Sequence, residues 1–252
     1  MSWQVFSNPV TLFIGGVTAV VLELAEPRVR EGVWRHSRFA AKPLARLQRT
    51  GLAAMVTVYG AETHARSMIA GINQRHGRVA GTTPEGLAYR ADDPQLLEWV
   101  QATAAFGFLQ AYHHYARRLS PREHDAYYAE GAPVARLYGA AAPPRSAAEF
   151  HALLGSTTPR LEPSPVLEEF LRIMGRVDAL PLAARPLQRA LIRAAVSLLP
   201  AALVAQLQLG SWRLRGWEAP VVQLAAGVAE RVRIEAWPDR RARRRLGPGA
   251  AG

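Results

Sequence analysis

Apolar residues recur along most of this chain three and four positions apart, and strand-like alternation is scarce. The first apolar run, residues 10–24, reads as a helix buried on most sides. Pro9 opens it, Gly15 and Gly16 interrupt it, and Glu26-Pro27 breaks it. Residues 28–35 (RVREGVWR) are short and highly charged, and lead to a turn or helix start at His36-Ser37. Pro43 starts a second helix with Leu44, Leu47 and Leu52 on its apolar side. Residues 53–59 (AAMVTVY) suit either a strand or a buried helix, and Gly60 closes them. The next helix begins at Ala61-Glu62-Thr63 and carries Ala65, Met68, Ile69, Ile72 and Val79 on its apolar face, with His76 in the same register.

Residues 82–86 (TTPEG) form a turn, and Asp92-Asp93-Pro94 then supplies an N-cap followed by proline at the first helical position. The helix it opens runs to about Leu119. Capping boxes at Ser120/Glu123 and Ser146/Glu149 predict helices to Glu130 and Leu154. Further helices are expected from Ser164-Pro165 to Met174, from Arg185 to Leu199 and from Trp217 to about Ile234. The pattern predicts an all-α chain with a single helical domain over residues 1–238. Residues 161–238 form a helical extension of it, and 239–252 a basic, disordered tail.

Composition narrows the chemistry. The absence of cysteine excludes disulfides, thiolate metal sites, thiolate nucleophiles and covalent c-type haem attachment. It also fits a reducing compartment, and the expected location is the cytoplasm. The apolar run 10–24 lacks a basic leader and falls short of the ~20 residues that span a bilayer. The formal charge is +11, and Lys42 is the only lysine, so 30 of the 31 basic residues are arginine. A GC-rich codon bias accounts for this, while an anion-binding surface is the sharper reading, since guanidinium forks fit carboxylates and phosphates. The segment 185–193, with Arg185, Arg189 and Arg193 beside Leu187, Leu191 and Ile192, has an amphipathic, basic-edged pattern. It reads either as an ordinary packed helix or, together with the basic tail, as a peripheral contact with an anionic membrane. No recognition motif accompanies the arginines, so no specific nucleic acid is expected.

Phosphate-binding loops, HExxH and GxSxG are absent. Asp92-Asp93 reads as a cap and Glu168-Glu169 as a solvated face. Among seven histidines no pair has metal-ligand spacing with a nearby carboxylate. His76 stands apart, because an imidazole on an apolar face must find a partner or stay neutral at some cost. It is either a core histidine bonded to a carbonyl or an axial ligand to haem iron. Arg46, Arg49 and Thr50, spaced i, i+3, i+4, share a helix face that either meets solvent or points at a cofactor.

The succession REGVWRHSRF, KPLARLQRT, MVTVYGAETHA, INQRHGRVAGTTPEGLAY, ADDPQLLEWVQAT, FLQAYHHYARRLSPREHDAYYAEG and ARLYG resembles the MpaB/latex-clearing-protein (rubber oxygenase) catalytic-domain family, in its bacterial MpaB-like subgroup. The match is close over residues 23–154. It implies a helical fold with a globin-like core. It also implies a haem b-dependent oxygenase, with the haem held non-covalently, that uses dioxygen on an apolar, isoprenoid or otherwise unsaturated substrate. The resemblance makes His76 the proximal iron ligand and sets Arg46, Arg49 and Thr50 on the distal side. Asn73 and His36 fall among the cofactor-binding positions, and Glu31 is the catalytic base beside Arg49 and Thr50. Arg49 stands where the haem-binding branch has an iron-ligating lysine, and Asn73 where that branch has arginine. The alternative on the same fold is a non-catalytic haem- or ligand-binding protein, or a peripheral membrane protein.

Overall fold

The computed structural model describes residues 1–37, 39, 41–178, 185–232 and 237–246. A single turn, α1 (Ser2–Val5), leads into α2 (Pro9–Ala25). The Asn8 side chain caps α2 by accepting from the amides of Val10 and Thr11. The charged stretch after Pro27 is itself a helix, α3 (Pro27–His36), bent by 109° from α2. Glu26 makes the corner: its carboxylate accepts from Val29 N at 2.9 Å and from Arg28 Nε at 2.9 Å.

Helix α4 (Pro43–Tyr59) is continuous through MVTVY, so the strand alternative does not hold there. Helix α5 (Glu62–His76) ends on His76 itself. Strands β1 (Ala80–Thr82) and β2 (Ala88–Arg90) then pair antiparallel, Gly81 opposite Tyr89, around the expected turn. Helix α6 (Pro94–Tyr115) starts on its Asp93 cap, and α7 (Pro121–Leu137) on the Ser120/Glu123 capping box. Helix α7 runs past Glu130 and accommodates Pro133. Helices α8 (Ala147–Thr157), α9 (Pro165–Arg176), α10 (Arg185–Ser197), α11 (Ala201–Gln206), α12 (Glu218–Arg231) and α13 (Pro238–Leu246) complete the described chain, which is predominantly all-α.

One sequence expectation needs correction. The basic tail is helical over Pro238–Leu246 rather than disordered. Ala242 is buried, Arg245 donates to the Tyr59 carbonyl at 2.7 Å, and Arg243 lies over the Trp3 ring at 5.6 Å. Helix α10 packs its apolar side, with Leu191 and Ile192 buried, while Arg185 and Arg189 are exposed and Arg193 pairs with Glu218. Ile234 and residues 247–252 lie outside the described residues.

Helix α2 is the axis of the packing, meeting α3, α6, α9, α10 and α12. Its most intimate neighbour is α6. A Cβ on Gly15 would stand 2.7 Å from Phe108 Cα, and one on Gly107 would stand 2.3 Å from the Gly15 carbonyl oxygen. The two backbones therefore touch directly. One hydrophobic cluster runs from Val5 on to Ala242. No single described helix is long and apolar enough to cross a membrane.

Gly107→Ala is expected to destabilise the protein by ~1–3 kcal/mol, because the clash is with backbone. Gly131→Ala, where a Cβ meets nothing within 4 Å, should stabilise by ~0.5–1 kcal/mol through helix propensity. Thermal melts of the two variants should therefore move in opposite directions.

Candidate functional site

Helix α5 sits oddly against this core. It has an apolar face (Ala65, Met68, Ile69, Ile72), yet only Ile69 is buried, and none of the four joins the continuous hydrophobic cluster. At the end of that face His76 has its Nδ1 atom buried with no hydrogen-bond partner. One turn earlier Asn73 donates Nδ2 to the Leu137 carbonyl at 2.8 Å and leaves Oδ1 buried and unpartnered. Two unsatisfied buried polar atoms at i and i+3 lie on one side of the helix, where such atoms are rare and costly.

Facing α5 across the Gly60 corner, α4 presents Arg46, Thr50, Ala53 and Thr57 along one line, four, three and four residues apart. The line is anchored at its far end, where the Thr57 hydroxyl meets the Tyr138 hydroxyl at 2.9 Å. Arg49 is turned off it and exposed, and Thr50 is exposed as well.

The third wall comes from α2. Glu23 is the only carboxylate within that helix, and no described residue gives it a hydrogen bond or a salt bridge. By surface it is only partly covered, but by depth it is wholly surrounded by protein. The two agree if the side chain lines an internal crevice rather than facing bulk water. Burial raises its pKa to about 7, with the Arg46 charge pulling the other way. Burial likewise lowers the pKa of Arg46, opposed by Glu23 and reinforced by Arg49. His76 is held below its ordinary value, first by burial, then by Arg75 and Arg46, with Asp92 opposing. Glu23, Arg46 and His76, from three helices, thus feel a common field with Arg46 at its centre.

The other expected residues lie elsewhere. Glu31 is on α3 and approaches Arg35 Nε at 2.5 Å, although the angle leaves that carboxylate oxygen without a true hydrogen bond. His36 shares a hydrogen bond with the Tyr89 hydroxyl at 3.1 Å. No described interaction ties either to Arg46 or His76. Asp93 caps α6, and Glu168 and Glu169 both pair with Arg172 on a solvated face. His113 and His124 meet at 3.1 Å, and the same His113 nitrogen accepts from the Leu119 amide. Among the described residues no three His, Asp or Glu side chains converge to hold a metal ion. A surface cleft of about 430 Å³ lies at the start of α4, between Lys42, Leu44, Ala45 and Gln48 on one side and Arg176 and Asp178 on the other, and none of Glu23, Arg46 and His76 lines it.

The family model for the catalytic domain of ER-bound oxygenase mpaB/B′ and rubber oxygenase matches residues 3–233. The chain belongs to this family. No curated protein and no solved structure matches it. Membership in the mpaB/rubber oxygenase family makes this an oxygenase-type domain and extends the match well beyond residues 23–154, into α12. Glu23 was not singled out from the sequence. Its signal was a lone acid in an otherwise apolar helix.

The electrostatics have a sign that can be checked. An acid whose folded pKa is raised from 4.5 to about 7 favours the protonated folded state, so stability falls as pH rises through that window. Glu23→Gln should leave the melting temperature near pH 4.5 almost unchanged. At pH 8 it should raise stability by up to ~3 kcal/mol, which is roughly 5 °C or more in a chain of this size. An equal shift at both pH values would contradict the assignment.

Proposed function

We propose that this protein is a haem b-dependent oxygenase acting with dioxygen on an apolar, unsaturated substrate of the isoprenoid class. The observation that carries the reading is the buried, unpartnered Nδ1 of His76, at the end of an apolar helix face of which only Ile69 is buried and which lies outside the continuous hydrophobic cluster. A lone imidazole among apolar side chains is the donor set of a b-type haem, whose porphyrin supplies the remaining ligands. The residues fit such a group. His76 would ligate the iron, and its depressed pKa keeps it in the neutral form that binds metal. Ala65, Met68 and Ile72 would pack against the ring, and Arg46 is a cation suited to a propionate. When bound, haem supplies the activation of dioxygen for attack on a carbon–carbon double bond.

The chain's own groups do the rest. Arginine stays protonated and is a poor iron ligand, so Arg49 works as a donor, not as a substitute for the ligating lysine of relatives. Thr50, one turn from Arg46, adds a hydroxyl that can donate or accept. Asn73, pinned to the Leu137 carbonyl, offers its Oδ1 as an acceptor beside His76. Glu23, with a pKa of about 7, can hold or release a proton at working pH. We therefore assign to it the proton-handling role that the family resemblance placed on Glu31.

The test is oxygen uptake by haem-reconstituted protein given a short polyisoprenoid chain under ¹⁸O₂. The account expects carbonyl products carrying the label, uptake lowered roughly 100-fold or more in His76→Ala, and roughly 10- to 100-fold in Arg46→Ala. Haem binding without any substrate-dependent uptake would favour the non-catalytic binding reading. Labelling from water instead of dioxygen would exclude an oxygenase.

A further inference from the structure

Surface helices normally turn their polar side to water. Helix α12 does not. Its inner face is buried through Val222 and Ala226, yet its outer face is also apolar. Trp217 is 68% exposed, Val221 44%, Leu224 68%, Val228 48% and Val232 55%. These are five of the eight large hydrophobic residues exposed among the described residues, so the apolar exposure is concentrated here rather than scattered. Spacings of four, three, four and four residues keep all five within one narrow arc along the helix. The helix itself, Glu218–Arg231, would lie as a rod of about 21 Å.

The unpaired charges around the stripe are positive, and the one exposed acid of the helix, Glu230, is hydrogen-bonded to the protein. Arg213 and Arg215 precede it and Arg231 closes it, all exposed, and none has an acidic partner within salt-bridge distance among the described residues. The two acids of the helix are engaged with the protein instead. Glu218 is buried, pairs with Arg193 and accepts the Arg215 amide at 2.9 Å. Glu230 accepts from Asn8 Nδ2 at 2.9 Å and from the Tyr112 hydroxyl at 2.9 Å.

We propose that this face docks the protein on the surface of an anionic lipid bilayer, α12 lying flat in the headgroup region. Trp217 would sit at the boundary and Leu224 and Val228 below it, with Arg213, Arg215 and Arg231 reaching lipid phosphates and carboxylates. A second copy of the chain fits poorly. Whether two α12 helices pair parallel or antiparallel, the arginine ends of one meet arginine ends of the other. Exposures of 68% at Trp217 and Leu224 also mean that these side chains stand on a crest, with no groove of this chain around them. The surface differs from α10, whose apolar side is buried, and from α13, whose Arg243 and Arg245 serve contacts within the protein. The inference stands independently of whether haem is bound.

The test is co-sedimentation of the full chain with phosphatidylcholine vesicles, neutral or containing about 30% phosphatidylserine. Binding should be at least about 10-fold tighter to the anionic vesicles and should weaken as salt is raised. Leu224→Glu/Val228→Glu should abolish it, and Arg215→Gln/Arg231→Gln should weaken it about 10-fold. Arg122→Gln/Arg145→Gln, with the same loss of charge at other exposed sites, should leave it intact. Circular dichroism of each variant confirms that the fold is kept. Vesicle addition should shift the tryptophan fluorescence of the wild-type chain to the blue, and that shift should vanish in Trp217→Phe. Equal binding to both vesicle types, or binding that survives Leu224→Glu/Val228→Glu, would overturn the proposal. So would a concentration-dependent dimer that Leu224→Glu disrupts in a protein showing no vesicle binding.

Discussion

The backbone contact between α2 and α6 at Gly15 and Gly107 is the constraint on which the rest of the structure depends. Only glycine allows two helices to approach so closely, and the approach buries α2 as the axis that five other helices share. That burial fixes where the C-terminal end of α2 must go. Glu23, two turns beyond Gly16, is carried onto a partly covered position among the helices. A carboxylate that no apolar helix needs is thereby placed opposite Arg46, and its acidity follows from that position.

The candidate site is built from helices that differ in how firmly they are held. Helices α2 and α4 contribute to the continuous core, whereas α5 covers the site with an apolar face of which only Ile69 is buried and none belongs to that continuous cluster. An amphipathic helix gains most of its stability from tertiary burial, so a face left out of the core calls for another apolar group. The same logic applies to the outer face of α12, but the surrounding charge differs. At the site one arginine stands between an acid and an imidazole. On α12 the exposed arginines are without acidic partners among the described residues, Glu218 is buried, and Glu230, although exposed, is bonded to Asn8 and Tyr112.

Much of this was legible in the sequence, and the exceptions have physical causes. Helix starts could be read wherever a cap was encoded by short-range chemistry, as at Asp93, Ser120, Ser146 and Ser164. The register that put His76 on the apolar side of its helix also appears in the structure, because helical periodicity is a local property. Helix α3 was hidden by its charges: Arg30 is buried and paired with Glu162, a partner 132 residues away that no local pattern reveals. The β1–β2 hairpin was too short to show alternation, and it is held by Tyr89, buried beneath Gly81 and bonded to His36. The basic tail read as disordered by composition, but Ala242 and the contacts to Trp3 and Tyr59 fold it onto α1 and α4. Glu23 escaped for a related reason. Its identity was visible, but its meaning lies in Arg46, which only the tertiary fold brings near.

The most direct test of the central claim is a hemin titration of the purified protein followed by visible absorption. The account expects saturable binding of one haem per chain with a sharp Soret band. His76→Ala should lose or strongly shift that band, while Glu31→Gln should leave it unchanged. A wild-type protein that takes up no haem, or a His76→Ala variant whose spectrum matches wild type, would contradict the assignment of His76 as the iron ligand.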